Sequence, residues 1–152
     1  MHRISHRGNV KGPNEHSENS PRYIEEAINL GFDCEVDIHY FAKTHEIYLG
    51  HDSPQYLVDF EWLLNFKEKL WIHCKNSEAM EFFATSSPHF NFFWHQKDDF
   101  TLTSFGYIWV YPGINPTAGS ILVLPENIEV GPNDLEFFPH IGGICSDYIS
   151  RY

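Results

Sequence analysis

Eight side chains in the first half of the chain can move protons or hold ions, and their spacing is regular. His6 and Arg7 are adjacent, Glu35 and Asp37 lie two apart, His51 precedes Asp52, and His73 and Lys75 lie two apart. In an extended strand, a spacing of two puts both side chains on one face. Glu35 and Asp37 therefore share a face, as do His73 and Lys75, while Cys34, Val36 and Cys74 take the opposite one. Brought together, these groups would supply imidazoles for proton transfer, carboxylates for a hard cation and two positive charges for an anion, a set that suits phosphoryl chemistry. Glu35 and Asp37 sit in an apolar run, where a carboxylate buried without a partner would be costly, so a functional role outweighs a solvated face.

Eight short apolar or β-branched runs carry these residues: 3–7, 34–38, 47–51, 70–75, 92–95, 107–111, 121–124 and 143–147. Each has strand length, and most end in polar groups. Helical patterns fall between some of them. Ser20-Pro21 opens one that Gly31 ends; Asp59 caps another through Phe66; Ser77 caps a third that stops before Pro88. Shorter helices are expected near 98–104 and 133–138. Strand–helix alternation predicts an α/β chain with a parallel sheet, and eight strands suggest a compact (β/α)8 TIM-type barrel with its site at the strand C-termini. Such barrels run to about 250 residues, whereas 152 residues over eight strands leave about 19 per unit. Several outer helices must then be missing. Between the second and third strands the reading favours a bare return loop over an antiparallel hairpin.

Composition narrows the partners. One domain over residues 1–152 is expected, with a formal net charge of −11 and thirteen Phe, which argues against disorder and against nucleic acid. No run nears the roughly 18 apolar residues of a membrane span, and no signal-peptide core is present, so no membrane insertion and a cytoplasmic location are expected. Cys34, Cys74 and Cys145 read as buried free thiols. Missing helices would leave Tyr107 and Trp109 uncovered, so a homodimer is expected. His2, His16, His39, His45, His89 and His140 read as solvent-exposed.

In order along the chain, His6-Arg7-Gly8, Glu18-Asn19-Ser20, residues 31–37 (Gly-Phe-Asp-Cys-Glu-Val-Asp) and Gly50-His51-Asp52 resemble the opening signature of glycerophosphodiester phosphodiesterases, which share a superfamily with phosphatidylinositol-specific phospholipases C. The match spans about the first third of the chain. Trp94-His95-Gln96 and Ser146-Asp147-Tyr148 fall where that family has later strand ends. The resemblance implies a compact, divergent member: a metal-dependent phosphodiesterase that cleaves a small soluble glycerophosphodiester to glycerol phosphate and an alcohol. It implies His6 and His51 as the acid–base pair, and Arg7, Lys75, Asn19 and Trp94 as phosphate- or substrate-binding residues, with Glu18 beside Asn19. Glu35 and Asp37 would bind a divalent cation, Mg²⁺ or Ca²⁺.

The chain departs from the family at His73, where a Glu is usual. As a third metal position, an imidazole shifts preference toward Mn²⁺ or Zn²⁺; a supporting group or a core histidine are equal readings. Ser17, in place of a frequent proline, is a milder change. Trp94, His95 and Tyr111 are read as pocket wall or packing, and Glu126 and Asp147 as weaker site candidates. Two other functions stay open: a catalytically degenerate barrel that binds a phosphorylated ligand, and a metal-independent lyase that releases a cyclic phosphate.

Overall fold

The computed structural model describes residues 1–138 and 140–152. All eight expected runs are strands, and two further short strands join them. In chain order the strands are β1 (His2–His6), β2 (Asp33–Phe41), β3 (Glu46–Leu49), β4 (Tyr56–Val58), β5 (Leu70–Cys74), β6 (Phe92–Phe93), β7 (Phe100–Leu102), β8 (Ile108–Val110), β9 (Ile121–Val123) and β10 (Gly143–Ser146). Seven of them run parallel in the order β6-β5-β2-β1-β10-β9-β8. β7 adds antiparallel to β8, β3 to the C-terminal half of β2, and β4 to β3.

The (β/α)8 barrel is not what forms. The sheet is mixed and curls without closing. Its ends, β6 and β7, share no ladder and meet through the Ser104 N–H donating to the Phe92 carbonyl at 2.8 Å. Only three α-helices flank it among the described residues: α1 (Pro21–Asn29), α2 (Phe60–Phe66) and α3 (Ser77–Thr85). Local chemistry accounts for this. Residues 42–45 alone join β2 to β3, a hairpin-length loop too short for a parallel return, so the bare return loop gives way to an antiparallel pair. The helix expected near 98–104 is β7 instead. Prolines and glycines break the segment between β8 and β9, and Pro125 and Pro132 each start only a 3₁₀ turn, Pro125–Ile128 and Pro132–Phe137.

Period-2 alternation sorts two cores. On the outer face Cys34, Val36, Ile38, Leu70, Ile72 and Cys74 pack under the helices with Ile24, Leu63 and Phe83. On the inner face Ile4, Trp71, Phe93, Trp109, Ile121, Val123 and Cys145 fill the curl. The outward exposure expected of Trp109 and Tyr107 is therefore wrong. Trp109 is buried inside against Phe93 and Trp71, and Tyr107 packs on Trp71. Nor is His2 a free surface residue. It bonds Asp33 (3.0 Å) and the Tyr107 hydroxyl (3.1 Å), and Lys69 pairs with Asp33 (2.9 Å), so a polar plug closes the N-terminal end of the curl. The three thiols are buried and unpaired; burial pushes the Cys74 thiol up to about 12.

Two caps differ in how much they hold. The Asp59 carboxylate accepts from the Trp62 N–H at 2.7 Å and does little else. Asn76, not Ser77, caps α3. Its amide oxygen accepts from the Ala79 N–H (3.0 Å) and the Tyr40 N–H (3.2 Å), and its NH₂ donates to the Tyr40 carbonyl (2.8 Å). Asn76→Ala is expected to cost about 2–3 kcal/mol, because it strips both a cap and a backbone partner, against about 1 kcal/mol for Asp59→Ala. Urea denaturation of the two variants checks the order.

Candidate functional site

Strand register assembles the chemistry. β1 and β2 pair with His6 opposite Glu35, and β2 and β5 pair with Asp37 opposite His73. All four side chains stand on the inner face at the C-terminal end of the parallel strands. Glu35 and Asp37 are almost fully buried, at 2% and 0% exposure. His73 Nδ1 lies 3.1 Å from Asp37 Oδ1 and 3.7 Å from Glu35 Oε1. Its Nε2–H donates to the His95 carbonyl at 2.8 Å, and its ring stacks on Phe93 at 5.0 Å.

Asp37 is the most contacted group. Arg7 Nε lies 2.9 Å from Oδ2 and Lys75 Nζ 3.5 Å from Oδ1. Asn19 clamps it twice: its NH₂ donates to Asp37 Oδ2 (2.9 Å), and its oxygen accepts from the Asp37 N–H (3.0 Å). Burial pushes the Asp37 carboxyl up, but His73, Arg7 and Lys75 together hold it well below the usual carboxylate range. At His73 burial works downward, and the facing carboxylates overcome it to raise the ring to about 9.

His6 is built into a second unit. Its Nδ1–H donates to Asp147 Oδ1 at 2.7 Å, which turns Nε2 toward Glu35, 3.9 Å away. Burial disfavours the charged ring, yet the Asp147 bond and the Glu35 charge lift its pKa above the ordinary 6.5. Asn9 bridges Asp147 and Glu18 at 2.8 Å each, and Glu18 holds Arg7 at 3.3 Å. Two glycines make the turns possible. Gly8 follows the left-handed Arg7 with φ +92°, and a Cβ there would meet Tyr23 at 2.6 Å. At Gly50 a Cβ would meet the Ser53 carbonyl oxygen at 2.1 Å, so only glycine admits the turn that leads into His51.

His6, Arg7 and His51 all line two adjoining cavities. One, of about 410 Å³, also includes Glu35, His73, Lys75, Trp109 and Tyr111. The other, of about 340 Å³, includes Glu18, Asn19, Asp52 and Asp147. A larger cavity, about 750 Å³ and lined by Tyr40, Phe60 and Phe82, lies elsewhere and contains none of these clustered acids and bases.

The sequence-predicted residues divide clearly. Arg7, Glu35, Asp37, His73 and Lys75 converge, with His6 beside them. His51 lines the same cavities but pairs with Asp52 (2.7 Å), not with the buried carboxylates. Asn19 is buried and grips Asp37. Trp94 does not line either cavity: Phe93 turns inward onto His73, so alternation sends Trp94 outward, where it is 36% exposed. Trp109 and Tyr111 stand in the wall in its place. Asp147 proves central rather than peripheral; its signal was its position at the end of the last strand-like run. Asn9 carried no sequence signal.

Glu35 Oε2 is buried without a hydrogen-bond partner, with His6 Nε2 3.9 Å away. Such an atom is costly to leave bare. One donor atom each from Glu35, Asp37 and His73 lie within 4.8 Å of one another, so these residues fit a divalent cation. Compared with family models, curated proteins and solved structures, the chain finds no match.

The His6–Asp147 pair dictates a pH window. The raised His6 contributes stability fully below 6.5 and loses it as pH rises through its folded pKa. The lowered Asp147 contributes above 3.8 and loses it as pH falls through its folded pKa. The stability gap between wild type and Asp147→Asn, measured by urea denaturation, is expected to be widest between about pH 4 and 6.5 and to narrow on either side.

Proposed function

We propose that the protein is a phosphodiesterase that hydrolyses a small glycerophosphodiester to glycerol phosphate and an alcohol. The observation that carries this reading is the buried Glu35–Asp37–His73 cluster beside an Asp147-held imidazole and the Arg7 guanidinium, in one solvent-reached cleft. The ordered sequence resemblance, carried by the same residues, agrees with it. Glu35, Asp37 and His73 would hold a divalent cation, which supplies charge stabilisation to the phosphoryl oxygens when bound.

The chain's own groups account for binding and proton transfer. Arg7 is anchored by Asp37 and Glu18, so its fork is oriented before an anionic substrate arrives. Lys75 adds a second positive charge in the same cavity. His51 accepts the proton of the attacking water or hydroxyl as its oxygen bonds to phosphorus. His6, whose Asp147 partner favours the protonated ring, gives the Nε2 proton to the leaving alkoxide as its bond to phosphorus breaks. Asn19 and Asn9 orient Asp37 and Asp147 respectively and act through them.

A metal-independent lyase is the second reading. It is favoured by the contacts of Arg7 and Lys75 with Asp37, 2.9 and 3.5 Å away, which already offset that carboxylate's charge. In that scheme a substrate hydroxyl gives up its proton and bonds to phosphorus, the bond from phosphorus to the other alcohol breaks, and that alcohol leaves protonated, with a cyclic phosphate as the second product.

Purified protein offered glycerophosphodiesters is expected to release glycerol phosphate in the presence of divalent ions and to stop when they are chelated. His6→Ala and His51→Ala should each lower kcat by about 10²–10⁴. Undiminished release of a cyclic product under chelation would select the lyase. Binding with no turnover under any ion would defeat both.

A further inference from the structure

We infer that the cation site is a nitrogen-accepting one, taking Zn²⁺ in preference to Mg²⁺ or Ca²⁺, with His73 binding through Nδ1. This deepens the proposed function, since it rests on the same cation position. Three observations carry it. First, the cluster holds two carboxylates and one imidazole, with no third acid among the described residues and with Glu35 Oε2 unpartnered. Calcium takes six to eight oxygen ligands, and magnesium likewise wants an all-oxygen shell, whereas imidazole suits the later divalent ions.

Second, the ring is fixed in the orientation a ligand needs. Nε2–H donates to the His95 carbonyl at 2.8 Å and Phe93 stacks parallel at 5.0 Å, so Nδ1 is the atom aimed at Glu35 and Asp37. A ligating histidine normally donates its other ring N–H to a carbonyl or carboxylate in this way. Third, Arg7 and Lys75 already draw on the charge of Asp37 from 2.9 and 3.5 Å. A hard cation held by charge alone is weakened by such neighbours. A bond to nitrogen depends less on net charge.

The test is direct metal binding by the intact chain, separate from turnover. Calorimetric titrations with Zn²⁺, Mg²⁺ and Ca²⁺ are expected to give at least about tenfold tighter binding of the first. In His73→Glu the Zn²⁺ to Ca²⁺ affinity ratio should fall about tenfold or more, as Ca²⁺ gains and Zn²⁺ loses. An unchanged ratio, or Mg²⁺ or Ca²⁺ preferred by the wild type, would overturn the inference. Nitrogen-15 spectra of wild type with Zn²⁺ need no variant: ligation at His73 Nδ1 with Nε2 still carrying its proton supports it, and ligation at Nε2 or at neither nitrogen overturns it. Selective Zn²⁺ binding without cleavage of any phosphodiester would remove the hydrolase reading and leave this one standing. Cleavage by a protein that prefers Mg²⁺ or Ca²⁺ would do the reverse.

Discussion

Two carboxylates on the buried face of a central strand set the terms for the rest of the molecule. Glu35 and Asp37 lie on β2, between β1 and β5, with almost no exposure to water. An uncompensated charge there would cost several kcal/mol. The surroundings are arranged to offset it: Arg7 and Asn19 from the segment after β1, His73 and Lys75 from β5 and its end. The left-handed Arg7 and Asn19 backbones follow from the same demand. Strained residues of this kind persist where surrounding contacts over-determine them, and here the contacts converge on Asp37.

The curl does what a closed barrel does for such a site. Parallel strands deliver their C-terminal ends to one rim, and the inner face below the rim is filled by Ile4, Trp71, Phe93 and Trp109. Closure is unnecessary for this. Three helices cover the outer face of the β2–β5 half, where the buried aliphatic residues are concentrated. On the other half, β7 folds back on β8 and 3₁₀ turns lie between β9 and β10, so a hairpin and 3₁₀ turns stand in for crossover helices. Large aromatic side chains inside the curl take up the volume that more layers of aliphatic residues would fill.

The two site units differ in character. Around Asp37 the contacts are ionic and tightly interlocked. Around His6 they form a single directed bond to Asp147, with Asn9 joining Asp147 to Glu18 and so back to Arg7. The imidazole of His6 is thereby linked to the Asp37 cluster by side chains only, across the first and last strands of the sheet. A chain folded only through its first half would contain the carboxylates but not the group that orients His6.

The strands, the inward faces of Glu35–Asp37 and of His73–Lys75, the buried thiols and the starts of α1 and α2 could be read from the chain alone, because alternation and caps are local. Residues one or two apart in a strand have their relative directions set by backbone geometry, whatever surrounds them. Other features depended on partners distant in sequence. Pairing decided that β3 turns back on β2, that 98–104 holds a strand, and that Trp109 packs inward with Trp71. It also sent Trp94 outward and brought Asp147 to His6, 141 positions away. Local propensity carries no term for those contacts; they form because burying each strand face and satisfying each buried charge leaves few other arrangements. The sequence by itself determined which residues could do chemistry and which face each would take. Only the tertiary structure decided which of them meet, since that is fixed by strand register and by the long-range neutralisation of two buried carboxylates.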